Sequence, residues 1–238
     1  MRELVETGSV HLPGALGPAE VAELLAFCAA LPPPSPGQRL PPGAVIELVA
    51  VQSVTQLVQQ CIGPAARVVR ALLFDKSPDC NWALGWHQDR TIEVAAQHDT
   101  PGYGPWTIKA GRPHVAPPVT LLERMITARL HIDAVDQDNA PLMVAPGSHR
   151  LGLIGEHEIE RAVEACGRQI CLAAAGDVWL YATLIVHGSA AAVKPRHRRV
   201  LQLDFASESL PNGLEWAADR AIAVPPSTAA TSCGMIPL

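Results

Sequence analysis

The chain has 238 residues, 48% of them hydrophobic, so it can bury one substantial core, and we expect a single domain over residues 1–238. Its net charge of -5 and the lack of a long basic run argue against a nucleic acid partner. The six cysteines form no CxxC pair and are expected to be reduced. No leader and no apolar segment of membrane-spanning length is recognisable, so we expect a cytoplasmic protein without a membrane partner.

The first part of the chain, to about residue 64, is predicted to be mainly helical. Pro18 opens one helix, and Ser53 is a candidate N-cap for a second; both carry apolar residues at helical spacing. Residues 32–43 are rich in proline and glycine, so we expect no regular structure there. The apolar stripes indicate core packing, and no functional site is expected in this part.

From about residue 65 to 210, short β-branched and apolar runs alternate with Gly, Pro, Asn and Asp, which indicates a many-stranded antiparallel domain. One helix is predicted at 156–166, and a C-terminal tail follows the strands. The predicted fold is mainly β: a double-stranded β-helix, the jelly roll of cupin-like proteins, with N-terminal and flanking α-helices. Other β sandwiches have similar strand spacing. The predicted strands are 67–74, 91–96, 125–134, 141–145, 169–173, 178–187 and 198–206.

Two His-x-Asp motifs could each give a metal ion one histidine and one carboxylate. They are His87–Asp89 and His131–Asp133, and on an extended strand the two outer residues of either motif share a face. Such motifs also arise by chance, so a third ligand must decide between them. His187 is the candidate, because it follows the apolar run 178–186. Two histidines and one carboxylate are typical of non-haem Fe(II) oxygenases, although a lone histidine in a strand is more often structural.

A cationic residue follows this histidine at the start of the last predicted strand. Arg198 shares a face with Gln202 and Asp204, whereas the opposite face, which begins at Arg199, is mainly apolar and belongs against the core. We therefore expect Arg198 to point into a polar interior. A guanidinium there needs a partner, and a carboxylate bound through two hydrogen bonds suits it best. A dicarboxylate co-substrate would supply that carboxylate.

Short motifs also follow one another in a recognisable order along more than half of the chain. They are Leu72–Pro78, Trp86–Asp89, Asp138–Asn139 with Leu142, Pro146–His149, Gly176–Asp177, His187–Ser189 and Arg198. In this order they resemble the phytanoyl-CoA dioxygenase family of Fe(II)/2-oxoglutarate oxygenases. The ordered set is far more specific than any single motif.

This resemblance implies a ligand set and an activity. The iron ligands would be His87, Asp89 and His187, and Ser189 and Arg198 would hold the far carboxylate of 2-oxoglutarate. The implied cofactors are Fe(II), 2-oxoglutarate and O2. The implied reaction hydroxylates a C–H bond of a small organic or acyl substrate, with release of succinate and CO2. Relatives that halogenate lack the carboxylate ligand, so Asp89 favours a hydroxylase or a desaturase.

Three more residues are expected at the co-substrate. Leu72 and Lys76 match family positions at the pocket, although a solvated lysine at a strand end would explain Lys76 equally well. Arg129 stands where many relatives have a tryptophan that lines the pocket. This departure implies a second cation near the co-substrate or a different substrate polarity.

Candidate substrate contacts lie in a long segment and in the second His-x-Asp motif. Residues 98–118 contain Trp106 and Arg112 and are predicted to form a lid over an anionic substrate, with a plain structural excursion as the alternative. His131, with Asp133 on the same face, is expected in the same interior as Arg129. We assign His131 to substrate or ligand-supporting contacts.

Two functions from other classes stay open on the sequence alone. The first is a jelly-roll metalloprotein, such as a zinc-type hydrolase or a metal-binding module, which would not require Arg198. The second is a jelly roll without turnover, against which the intact set of ligands argues. The identity of the substrate and the oligomeric state are not encoded in any pattern that we recognise.

Overall fold

A computed structural model describes residues 2–32 and 35–219; Cys233 and the rest of the predicted C-terminal tail from residue 220 lie outside them. The described helices are α1 Arg2–Thr7, α2 Pro18–Ala29, α3 Val49–Ile62, α4 Val119–Leu122 and α5 Ile159–Cys166. The strands are β1 Ser9–Leu12, β2 Gln38–Leu40, β3 Arg67–Lys76, β4 Leu84–His87, β5 Ile92–Glu93, β6 Trp106–Lys109, β7 Arg112–Val115, β8 Ile126–His131, β9 Leu142–Val144, β10 Gln169–Cys171, β11 Val178–Ala182, β12 His187–Ser189 and β13 Arg198–Ala206.

Two antiparallel sheets form the body of the molecule. The larger has six strands in the order β1-β11-β8-β13-β3-β2, and the smaller has four in the order β10-β9-β12-β4. A third sheet, β5-β7-β6, is formed largely by a hairpin between the strands β6 and β7. This mainly β, antiparallel architecture confirms the predicted jelly-roll fold.

The long strand β3 separates the core from the interior cavity. Ala71 and Leu73 point outward and pack with the apolar faces of α2 and α3 in the largest hydrophobic cluster. Arg70, Leu72, Phe74 and Lys76 alternate with them and line the cavity. The helices therefore cover the outer face of the large sheet, and its inner face is free for a site. Among the described residues, no helix is long and apolar enough to cross a bilayer.

The predicted strand 178–187 is wrong in one respect that matters for the site. The strand β11 ends at Ala182, the chain turns over the next four residues, and His187 opens β12 in the other sheet. The turn residues Leu184, Ile185 and Val186 are fully buried. Because the whole run is buried, its hydrophobicity could not reveal the change of sheet.

The helix α2 begins at Pro18 as predicted, but α3 begins differently from the prediction. Ser53 is not an N-cap: α3 begins at Val49, and Ser53 donates a hydrogen bond of 2.6 Å to Glu20. The carboxylate of Glu23, from α2, accepts hydrogen bonds from the first backbone amides of α3 at 3.1 and 3.2 Å. A cap from another helix leaves no local sequence signal. The Pro/Gly-rich segment 32–43, expected to be irregular, contributes the edge strand β2.

Candidate active site

A cavity of about 590 Å³ lies between the two main sheets and the β6–β7 hairpin. Its charged lining is strongly unbalanced, with more cationic side chains than carboxylates. The cationic side chains are Arg39, Arg70, Lys76, Arg90, Lys109, Arg129 and Arg198, and the carboxylates are Asp89 and Glu156. A cavity of this charge favours anionic ligands.

Two histidines face each other on neighbouring strands of the small sheet. His87 and His187 are direct partners in the β4–β12 register, and their ring centroids are 4.3 Å apart. Nδ1 of His87 lies 2.7 Å from the carbonyl oxygen of Gly85, and Nδ1 of His187 lies 2.9 Å from that of Ile185. A nitrogen that donates to a carbonyl carries the proton, so it is Nε2 of each ring that faces away from the backbone contact and can serve as a metal ligand.

The charge states at this end of the cavity also suit a metal. Burial and the neighbouring His87 lower the pKa of His187 to about 3, so its ring is neutral. Burial raises the pKa of Asp89, but Arg70 and the two histidines outweigh it and hold that pKa below its usual range. Neutral imidazole and ionised carboxylate are the forms that bind cations.

Arg70 holds the carboxylate of Asp89 in place. Its Nη2 lies 3.2 Å from Asp89, and its Nε donates to the buried Asp204, which also accepts a hydrogen bond of 3.0 Å from Thr127. Burial lowers the pKa of Arg70, but the two carboxylates outweigh it and keep the guanidinium charged. Arg70 is thus a buried cation with two anionic partners.

The chemical types of these three side chains suit ferrous iron, and all three line the same cavity, but their atoms do not converge on one metal position. Within the described ranges, no three His, Cys, Asp or Glu side chains are arranged to hold an ion. Oδ2 of Asp89 contacts Arg70 at 3.2 Å, and metal binding by all three of His87, Asp89 and His187 requires a shift of these side chains. Two imidazoles with free Nε2 atoms and one ionised carboxylate are the donor set of non-haem Fe(II) enzymes.

At the other end of the cavity lies a group of cations, which we call the anchor group: Lys76, Arg129 and Arg198. Lys76 and Arg198 are register partners on β3 and β13, and Arg129 donates to Gln202 at 3.2 Å. The ammonium of Lys76 donates to Ser189 Oγ at 3.1 Å and to the carbonyl of Ala190 at 2.8 Å. Lys76 and Arg198 are both 1% exposed, so the solvated position considered for Lys76 is wrong.

The anchor group has no carboxylate partner among the described residues. The Nε atoms of Arg129 and Arg198 are buried without a hydrogen bond. Burial and then Arg129 lower the pKa of Arg198 to about 9, and burial followed by Arg198 and Arg129 lowers the pKa of Lys76 to about 7. Buried cations without anionic partners are costly, so this end of the cavity is built for an anion.

The structure separates the second His-x-Asp motif. The strand β8 ends at His131, and the carboxylate of Asp133 turns to Arg199, with contacts of 2.7 and 2.8 Å. The predicted shared face of His131 and Asp133 is therefore wrong. His131 is buried behind the cavity wall and does not line it; neither ring nitrogen has a hydrogen-bond partner, and burial lowers its pKa to about 3.

The predicted lid segment contains the ordered hairpin β6–β7, which forms one wall of the cavity. Trp106 and Arg112 lie outside the lining: Trp106 packs on a hydrophobic cluster, and Arg112 pairs with Glu93 at 2.8 Å. Thr107 and Lys109 of the same hairpin line the cavity instead. Strand residues alternate between faces, and an isolated hairpin sequence does not reveal which face points inward.

Sequence reasoning missed Arg39 and Arg70, and it placed Lys109 in the predicted lid without choosing it as a substrate contact. Arg39 comes from an edge strand in a segment expected to be irregular, and its position in the cavity depends on pairing with β3. Arg70 had a usable signal, since Arg70 and Asp204 are charged residues inside two apolar strand runs and were candidates for a buried pair.

Comparison with solved structures shows a common fold. AviO1 from Streptomyces viridochromogenes Tue57 has 17% identity and a TM-score of 0.62, with coverage of 89% of this chain and 95% of that chain. The iron-bound structure of EctD from S. alaskensis has 18% identity and a TM-score of 0.63, with coverage of 86% and 74%. The non-haem, α-ketoglutarate-dependent epimerase SnoN from nogalamycin biosynthesis has 18% identity and a TM-score of 0.60, with coverage of 97% and 90%.

The sequence comparisons give the family. No curated protein matches the chain. The family model described as phytanoyl-CoA dioxygenase matches residues 4–200, which is most of the chain and includes every proposed metal ligand and the anchor group. The chain therefore belongs to the phytanoyl-CoA dioxygenase family of 2-oxoglutarate-dependent non-haem iron dioxygenases, whose cofactors are Fe(II), 2-oxoglutarate and O2.

Proposed function

We propose that this enzyme hydroxylates a C–H bond of a small organic substrate, with His87, Asp89 and His187 as the iron ligands. One observation carries the proposal. The same cavity contains two histidines with free Nε2 atoms and, a short distance away, a buried arginine without a carboxylate partner. A zinc-type hydrolase would use the first feature and leave the second unexplained.

The spacing between the two ends suits 2-oxoglutarate. Ser189 lies two residues beyond His187 on β12, which corresponds to about 7 Å along the strand. A five-carbon dicarboxylate that contacts the metal with one end therefore has its other carboxylate at Ser189, Lys76 and Arg198. The cavity wall between the two ends includes the apolar side chains of Leu72 and Phe74, which suit its methylene groups.

The protein residues have positioning roles in the reaction. Iron with bound 2-oxoglutarate would supply oxidative decarboxylation of that co-substrate by O2, giving succinate, CO2 and an oxidised substrate. The backbone carbonyls of Gly85 and Ile185 fix the orientation of the two imidazoles. Arg70 keeps Asp89 ionised, and on metal binding this carboxylate would fill the position that halogenating relatives leave to a halide.

Succinate formation tests this proposal. Purified protein with Fe(II), 2-oxoglutarate and O2 should release succinate and CO2, and the His187→Ala variant should not. His197→Ala is the matched control, because His197 is exposed and does not itself line the cavity. Equal succinate release by wild type and His187→Ala would contradict the assignment of the metal site.

A further inference from the structure

A second pair of cations lines the cavity near the metal ligands, and we call it the Arg39–Lys109 pair. Arg39 comes from the edge strand β2, and Lys109 comes from β6 of the hairpin. Neither side chain makes a salt bridge within residues 2–32 and 35–219, and Nη1 of Arg39 is buried without a hydrogen-bond partner. The residues outside these ranges include no Asp or Glu, so no acidic side chain there could compensate the charge.

The neighbouring cations have their own partners, so the charge of this pair is surplus. Arg70 lies between Asp89 and Asp204, and Arg112 contacts Glu93 at 2.8 Å. Burial and the repulsion of Arg70 lower the pKa of both Arg39 and Lys109. Cations held near one another in a partly buried wall are unfavourable unless an anion joins them.

The pair is separate from the anchor group. In the β2–β3 register Arg39 lies opposite Leu72, and Lys76 is four residues further along β3, which corresponds to about 13 Å. Arg70 and Asp89 are the charges that act on both Arg39 and Lys109, which places the pair on the metal side. A co-substrate whose far carboxylate lies at Arg198 leaves the Arg39–Lys109 pair to another ligand.

We propose that the primary substrate carries an oxyanion, a carboxylate or a phosphate, and that Arg39 and Lys109 bind it. The inference rests on the proposed metal and co-substrate sites, because it assigns the remaining part of the cavity to the substrate. The planar guanidinium of Arg39 can bind two oxygens of such a group, and Lys109 supplies a point charge from the facing hairpin. An oxyanion held there would present the adjacent carbon atoms to the metal ligands.

Small oxyanions are the probes for this site. Anaerobic protein with Fe(II) and saturating 2-oxoglutarate would be titrated calorimetrically with sulfate, methyl phosphate and acetate, and with tetramethylammonium as the cationic control. We expect binding of the oxyanions only, with an affinity about tenfold weaker in Arg39→Met and in Lys109→Met. A stronger response to methyl phosphate or to acetate identifies which group the substrate carries.

Two controls separate binding from folding. Lys194→Met removes an exposed lysine that pairs with Asp138, and it should bind oxyanions like wild type. Arg39→Lys keeps the charge but loses the planar guanidinium, and its affinity for oxyanions should lie between those of wild type and Arg39→Met. Failure of wild type to bind any of the three oxyanions, or unchanged affinity in both Met variants, would overturn the proposal.

A parallel arm distinguishes this inference from the proposed function. The Arg198→Met variant without 2-oxoglutarate would be titrated with sulfate, beside the double variant Arg198→Met/Arg39→Met. Weaker sulfate binding in the double variant supports the Arg39–Lys109 pair even if 2-oxoglutarate proves not to bind at Arg198. Equal binding in the two proteins counts against the pair, whatever the behaviour of the co-substrate.

Discussion

The two ends of the cavity use the same kind of side chain in opposite electrostatic situations. Near the metal ligands, the buried Arg70 lies between the carboxylates of Asp204 and Asp89. At the other end, Lys76, Arg129 and Arg198 are equally buried and share no carboxylate among the described residues. Compensated charge holds the scaffold in one arrangement, whereas uncompensated charge indicates where an anionic ligand binds.

Two adjacent residues of β13 repeat this contrast. Arg199 points outward and is bound through two nitrogens by Asp133, at 2.7 and 2.8 Å. Arg198 points inward, is 1% exposed and has a buried Nε without a partner. Arg198 and Arg199 therefore offer a matched test, in which Arg199 has a structural role and Arg198 has a binding role.

The largest expected effect on ligand binding is on the metal. Replacement of His187 by alanine removes one of two imidazoles and leaves a gap at the start of β12, so iron affinity should fall by at least about a hundredfold. Metal content after dialysis against Fe(II) measures this, with His197→Ala as the control. If His187→Ala retains the iron content of the wild type, the metal binds at another site.

The end of the cavity where Arg70 is paired with Asp89 and Asp204 should contribute more to stability than the other end. Arg70→Leu leaves two buried carboxylates without their cation, and we expect the free energy of unfolding to fall by about 3–5 kcal/mol. Denaturant unfolding measures the change. The double variant Arg70→Leu/Asp204→Leu removes one of the two stranded charges and should recover part of the loss. If the free energy of unfolding falls by less than about 1 kcal/mol, Arg70 is not needed to stabilise this end of the cavity.

The uncompensated end should be the more important for the co-substrate. Arg198→Met should weaken 2-oxoglutarate binding by at least about thirtyfold, equivalent to about 2 kcal/mol, because it removes a buried charged partner. Arg199→Met should leave that affinity unchanged and act on stability alone, since Arg199 pairs with Asp133 in a partly buried position outside the cavity. Similar 2-oxoglutarate affinities in the two variants would contradict a binding role that is specific to Arg198.

The smallest effect is a pH dependence of co-substrate binding. Burial, Arg198 and Arg129 lower the pKa of Lys76 to about 7, so in the free enzyme Lys76 is charged below pH 7 and neutral above it. A bound carboxylate favours the charged form, so binding takes up a proton and the affinity should fall a few-fold as pH rises from about 6.5 to 8.5.

The Lys76→Met variant should show weaker binding with a flat pH profile, whereas Lys194→Met, at an exposed position, should keep the wild-type profile. Calorimetry in buffers of different ionisation enthalpy would detect the proton uptake directly. An unchanged slope in Lys76→Met would assign the pH dependence to another group.

Patterns within a single strand or motif were enough to predict the side-chain directions that depend on that strand alone. The alternation in β13 correctly placed Arg198 in the interior, and the family motifs placed His87 beside His187. The change of sheet before His187 was not predictable, because the buried turn residues are as apolar as the strand before them. The contribution of Arg39 depends on which strand pairs with β3, and that is a long-range choice without a sequence pattern of its own.

The central claim is that one cavity holds iron at His87, Asp89 and His187 and 2-oxoglutarate at Arg198. Anaerobic titration of the apo-protein with Fe(II) and 2-oxoglutarate tests it most directly, through the weak visible charge-transfer band of the chelate. We predict a band that is lost in His87→Ala and that needs at least about thirtyfold more 2-oxoglutarate in Arg198→Met. Metal binding by wild type without a band, or a band that is indifferent to both variants, would contradict the account.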